Sequence, residues 1–127
     1  MASNGTACLT VLVVDDSDDI RFMLKRMLEI NSYQVIEAVN GQQAVEIAKQ
    51  ECPDLILMDL NLPEIDGLTA AQQIRKSKEA CKDTKIVAIT AHHVYGMKEA
   101  ALEAGCDEYL IKPIDFDELD KVLSRFL

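Results

Sequence analysis

Apolar and polar positions fall along this chain in blocks of two kinds. Near-continuous apolar runs, LTVLVV at 9–14, LILM at 55–58 and KIVAIT at 85–90, are rich in β-branched residues and stop abruptly at polar ones. Runs of this length and make-up predict strands buried on both faces, as in a parallel sheet. Between the runs, apolar residues recur at helical spacing. In the first such stretch they are Ile20, Met23, Leu24, Met27 and Leu28, a single stripe that packs inward behind a cap at Ser17 or Asp18. Weaker strands are expected over 33–38 and 108–111. Further helices are expected from Asn40-Gly41, with Ala44, Val45, Ile47 and Ala48 inward, over 68–77, over 95–104 before Gly105, and from a cap at Asp115 to Phe126. Gly67 and Gly105 read as glycines placed where φ must be positive.

Five strand–helix alternations with short connections predict an α/β fold. A parallel sheet would carry helices on both faces, doubly wound by right-handed crossovers. The 127 residues suit one compact domain. We expect a short N-terminal extension over 1–8 and a single domain over 9–127, with no second domain behind it.

Composition changes this picture little, but charge narrows it. The chain is 49% hydrophobic and 28% charged with only 5 Gly and 3 Pro, which argues against disorder and low complexity. A formal net charge of −9 repels phosphate backbones, so no nucleic-acid partner is expected. The first seven residues lack the basic start of a signal peptide, and no apolar run approaches the ~20 residues needed to span a bilayer. No membrane partner and a cytoplasmic location are expected. The cysteines Cys8, Cys52, Cys81 and Cys106 form no CxxC pair, and reduced, inert thiols are the default.

The chemistry gathers at one place. In an open parallel sheet, ligands bind outside the carboxyl ends of the strands. The first strand ends in Asp15-Asp16, the third in Asp59, the fourth in Thr90-Ala91 and the fifth in Lys112-Pro113. Three carboxylates together repel one another unless a cation joins them. Mg²⁺, a hard cation that takes oxygen ligands at about 2.0–2.1 Å, fits that set, with Mn²⁺ as the alternative. A zinc site is not expected, because no His or Cys ends a strand. Lys112 and Thr90 add a positive charge and a hydroxyl, groups suited to stabilising a transferring phosphoryl group. A carboxylate can also act as the nucleophile. Taken singly, each residue has a plainer reading: Asp15-Asp16 as a helix cap, Lys112 as a solvated lysine, Thr90 as a strand-end hydroxyl, Tyr109 as partial core. Only the joint pattern lifts them.

VVDDS at 13–17, LILMDLNLPEIDG at 55–67, AITA at 88–91 and YLIKPI at 109–114 occur in order, each at its own strand end. In these pieces the chain resembles the response-regulator receiver family of two-component signalling, over essentially its whole length, and the single-domain chemotaxis type in particular. The resemblance implies a flavodoxin-like (βα)5 sandwich with strand order 2-1-3-4-5. It implies that Asp59 is the phosphoacceptor, that Asp16 and Asp59 bind Mg²⁺ directly, that Asp15 works largely through water, and that the Asn61 carbonyl completes the metal site. Lys112 matches the lysine that pairs with the acceptor and then with phosphoryl oxygens, and Ala91 the small residue that leaves them room. Thr90 and Tyr109 match the switch pair, and Lys112-Pro113 a peptide bond that is cis in the family. The implied donor is a histidine kinase or histidine phosphotransfer protein. The implied output is contact with an unidentified downstream protein through the fourth helix, fifth strand and fifth helix, by a monomer or a weak dimer formed on phosphorylation. Such a stand-alone receiver, without an output domain, catalyses only its own phosphorylation and dephosphorylation. His92, two residues beyond Thr90, is expected to tune loss of the phosphoryl group.

Two rivals are weaker. Aspartyl phosphohydrolases carry a second Asp two residues after the nucleophile as acid and base, and Asn61 stands there instead. Interaction modules that have lost phosphorylation usually lack an acidic residue or the lysine, and all are present here.

Overall fold

The structure, a computed structural model, describes residues 9–62, 65–76, 83–91 and 96–127. The expected alternation is present. Strands β1 (Thr10–Val14), β2 (Gln34–Ala38), β3 (Leu55–Asp59), β4 (Lys85–Thr90) and β5 (Glu108–Ile111) are interleaved with helices α1 (Asp18–Ile30), α2 (Gly41–Glu51), α3 (Gly67–Lys76), α4 (Met97–Glu103) and α5 (Phe116–Phe126). All neighbouring strands pair in parallel, in the order β2-β1-β3-β4-β5. Val11 lies opposite Val35 on one side and Leu55 on the other, so β1 is the line from which the sheet grows both ways.

The period of two along each strand splits the core into two layers. Leu12, Val14, Ile56, Met58, Ile86 and Ala88 face one way, onto Ala44 and Ala48 of α2, Ala70, Ala71 and Ile74 of α3 and Ala101 of α4. Val11, Val13, Leu55, Leu57, Val87 and Ile89 face the other, onto Leu24 and Leu28 of α1 and Leu119, Val122 and Leu123 of α5. The alanines let α2 and α3 lie close to the sheet. The leucines of α1 and α5 fill the opposite layer, each fully buried one contributing about 1.5–3 kcal/mol.

The helix ends follow local chemistry. The Ser17 side chain accepts from the Ile20 amide and caps α1, Asn40 does the same for α2 from Gln43, and Asp115 for α5 from Asp117 and Glu118. Gly105, at φ 105°, ends the α4 segment in the conformation glycine allows. Among the described residues no helix is long and apolar enough to cross a membrane.

Three expectations need correction. Met23 is not core: it is 43% exposed, because it sits at the edge of the α1 stripe, while Leu24 and Leu28 hold its centre. Gly67 does not have positive φ; it is glycine because a Cβ there would collide with the Asp59 carbonyl and stand 2.7 Å from the Leu60 Cα. Cys52 is not a reduced thiol. It is disulfide-bonded, with its partner outside the described residues, because a bond set by approach in space leaves no trace in sequence spacing.

Candidate functional site

The connection from β1 to β2 leaves on one side of β1, and the return to β3 lies on the other. The crevice at the carboxyl ends of β1 and β3 is therefore the switch point of the sheet, where ligands of this architecture sit. Asp15 follows the last residue of β1, Asp59 is the last residue of β3, Thr90 the last of β4, and Lys112 follows the last of β5. Parallel register alone thus brings residues from across the chain to one edge.

Asp15 and Asp59 are each only 3% exposed, and Thr90 is fully buried. Ligand atoms of Asp15, Asp16 and Asp59 all lie within 4.8 Å of one another. The Lys112 ammonium bridges two of these acids, donating to Asp15 Oδ2 at 3.0 Å and to Asp59 Oδ2 at 3.3 Å. The other oxygen of Asp59 accepts from the Asn61 amide at 2.9 Å, and the other oxygen of Asp15 from the Ser17 amide at 2.8 Å. The Lys112 amide donates to the Thr90 carbonyl at 2.8 Å, which ties the ends of β4 and β5 together. Lys112-Pro113 is cis.

Burial pushes the Asp59 carboxyl above the usual carboxylate range, and the neighbouring Asp15 charge adds to this; the Asn61 amide and Lys112 oppose it without cancelling it. For Lys112, burial acts downward but is outweighed by Asp15 and Asp59, so its ammonium holds its proton more tightly than usual. Three carboxylates against one ammonium leave a local charge of about −2, the deficit that a divalent cation would fill. The oxygen donor set suits a hard cation, and each carboxylate keeps lone pairs beyond those its hydrogen bonds use. The residues present therefore fit such an ion.

The structure brings Asp15, Asp16, Asp59 and Lys112 together at this edge, sets the Asn61 amide on Asp59, and places Thr90 at the end of the adjoining strand. Ala91 and Pro113 lie beside them in an apolar groove of about 570 Å³, with Lys112, Ile20, Met23, Ile114 and Phe116 on its walls. Tyr109 is half-buried on β5 and packs against the Leu12 layer of the core. His92 lies outside the described residues.

Two features escaped the sequence reading. One is the groove, whose rim Met23 and Phe116 are 43% and 40% exposed. The other is Arg21, which is buried beneath the Asp15-Asp16 turn. Its signal was present: it falls three residues before Leu24 and seven before Leu28, a charged residue on the buried stripe of α1.

Comparison with known proteins agrees with this geometry. The family model described as response regulator receiver domain matches residues 11–124. Chemotaxis protein CheY of Bacillus subtilis is 36% identical over 118 residues, which cover 92% of this chain and 96% of that protein. Hybrid signal transduction histidine kinase G of Dictyostelium discoideum is 41% identical over 125 residues, 96% of this chain but only 4% of the kinase. Among solved structures, the receiver domain of sensor histidine kinase PA1611 from Pseudomonas aeruginosa, with magnesium coordinated in its active-site cleft, superposes with a TM-score of 0.85 at 36% identity, covering 94% of this chain and 98% of that one.

Proposed function

The chain belongs to the response regulator receiver domain family, and on that premise we propose that Asp59 accepts a phosphoryl group from a phosphohistidine donor in a Mg²⁺-dependent reaction. The observation that carries this reading is the Lys112 ammonium shared between Asp15 and Asp59, with Asp16 close enough to complete a cation site.

Asp59, Asp16 and Asp15 would hold the ion, with the Asn61 carbonyl. When bound, Mg²⁺ (or Mn²⁺) supplies positive charge for the phosphoryl oxygens. A carboxylate oxygen of Asp59 attacks phosphorus, a P–O bond forms, and the P–N bond to the donor imidazole breaks, its electron pair leaving with the nitrogen. The Asn61 amide keeps Asp59 oriented. Lys112 moves its donation from the Asp59 carboxylate to a phosphoryl oxygen, so its charge is kept where negative charge gathers. Ala91, lacking bulk, leaves that oxygen room. Asn61 carries no group able to transfer a proton, so we do not expect turnover of external phosphate esters; the protein catalyses its own phosphorylation and dephosphorylation.

Phosphorylation is read out through Thr90 and Tyr109. Thr90 shifts toward the phosphoryl group, Tyr109 turns inward, and the surface of α4, β5 and α5 changes for a protein partner in the cytoplasm. The bias equals the difference in phosphoryl interaction between the two states, a factor of ten for each ~1.4 kcal/mol. The donor is a histidine kinase or a histidine phosphotransfer protein.

Intact mass after incubation with Mg²⁺ and acetyl phosphate, beside Asp59→Asn, tests this. One added phosphoryl group in the wild type alone is expected, stable to acid and labile to base. Addition to both proteins, or retention of Mg²⁺ binding with no addition to either, would sink the proposal.

A further inference from the structure

The peptide that joins Asp15 to Asp16 is gripped from below. Arg21 donates from Nη1 to the Asp15 carbonyl oxygen at 2.7 Å. The same guanidinium is held by Glu37 of β2, at 3.3 Å from Nε, and by an ion pair from Nη2 to Asp18. The residue is only 9% exposed, on a helix face that otherwise packs leucine against the sheet. A buried cation at an apolar position costs stability unless its hydrogen bonds are made. Here one of them goes to the main chain between two site acids.

We propose that Arg21 is a positioning residue of the acidic turn: it fixes the Asp15–Asp16 peptide so that both carboxylates meet one divalent cation together with Asp59. This inference rests on the reading of those acids as a cation site.

Asp15 is otherwise held at its amide, which donates to the Ala38 carbonyl at 3.2 Å, and at its carboxylate, by Ser17 and Lys112. None of these contacts fixes the plane of the peptide that follows. Turning that plane would move the Cα of Asp16 and swing its carboxylate, the exposed one of the three, away from the others. The Arg21 contact opposes that turn. Its contribution is orientation rather than charge, because Asp18 and Glu37 already neutralise the guanidinium. A lysine could keep the charge but could not span the three acceptors that the planar fork reaches.

The test is Mg²⁺ titration by calorimetry, with melting in EDTA, on the wild type and on Arg21→Met, Arg21→Lys and Glu37→Gln. Loss of a contact that orients metal ligands weakens binding by about 10–100-fold. We expect about a tenfold weaker Mg²⁺ affinity in Arg21→Met, little recovery in Arg21→Lys, and a smaller loss in Glu37→Gln, which loosens the guanidinium without removing it. The acetyl phosphate reaction should show a raised half-saturating Mg²⁺ concentration with its rate at saturation nearly restored. If Arg21→Met does not fold, the lysine and Glu37→Gln variants carry the same comparison. Lower melting in EDTA with unchanged Mg²⁺ affinity would leave Arg21 a merely structural residue, and full recovery in Arg21→Lys would make charge the cause; either overturns the proposal. A wild type that binds no Mg²⁺ would instead overturn the functional reading, and this one with it.

Discussion

Lys112 Nζ stands 3.3 Å from Asp59 Oδ2, although the two residues are far apart in the chain and join only through the register of β3, β4 and β5. The ammonium has two opposed effects. In the proposed reaction it would stabilise charge on the phosphoryl group, and before transfer it occupies oxygens that a cation would use. Lys112→Met is therefore expected to slow phosphorylation by acetyl phosphate about a hundredfold, the usual scale for losing one charge-stabilising donor. In calorimetry the same variant should bind Mg²⁺ more tightly than the wild type. Weaker Mg²⁺ binding would mean that Lys112 organises the acids rather than competing for them.

Asp59→Asn should stabilise the protein in EDTA at neutral pH. Burial, with Asp15, raises the Asp59 carboxyl above its ordinary range, so the folded state holds this proton more tightly than the unfolded chain. The stability from that difference is complete below the ordinary carboxylate range and lost as pH rises through the folded value. Above the folded value the ionised acid therefore weighs against folding, and the amide does not. The variant should melt higher than the wild type at pH 7, and the gap should narrow as pH falls toward the carboxylate range. An equal gap at every pH would assign the effect to packing instead.

Gly67→Ala tests the close approach of α3 to the end of β3. The new methyl would meet the Asp59 carbonyl and the Leu60 Cα, both backbone and unable to swing aside. Overpacking of this kind costs about 1–3 kcal/mol, measurable by urea unfolding. Because the atom displaced belongs to Asp59 itself, phosphorylation should slow as well. Unchanged stability would show that α3 can slide outward.

Cys106 should resist thiol reagents in the folded protein. Burial pushes its thiol up to about 11, with Arg75 lowering and Asp107 raising it. At pH 8 only about one thiol in a thousand would then be ionised, and the thiolate is the reactive form. Peptide mapping after brief alkylation should find Cys106 modified only under denaturing conditions.

Much of this was legible in the sequence because strong local patterns agreed with one another. The runs at 55–58 and 85–90 could only be buried strands, and their ends carried the acid and the hydroxyl to the right edge. What was hidden depended on angular position or on approach in space. Met23 and Leu24 differ by one helical step, yet one rims a groove and the other is 1% exposed. Arg21 is a single charge on an apolar stripe, and only its acceptors, which include groups outside α1, give it meaning. The need for Gly67 comes from the backbone of Asp59, eight positions earlier. No spacing rule marks Cys52 as a disulfide half.

Arg75, at the end of α3, reaches the opposite edge of the same sheet. It donates to the Thr84 carbonyl at 2.6 Å, the Gly105 carbonyl at 2.8 Å and the Asp107 carboxylate at 2.6 Å, and Gly105 leaves its stem the space it needs. These acceptors precede β4 and β5, where the strands begin, whereas the acids, the threonine and the lysine stand where strands finish. One guanidinium thus ties the starts of β4 and β5 together, at the end of the sheet away from the acids. The two strands therefore share one anchor where they begin and carry the threonine and the lysine where they finish.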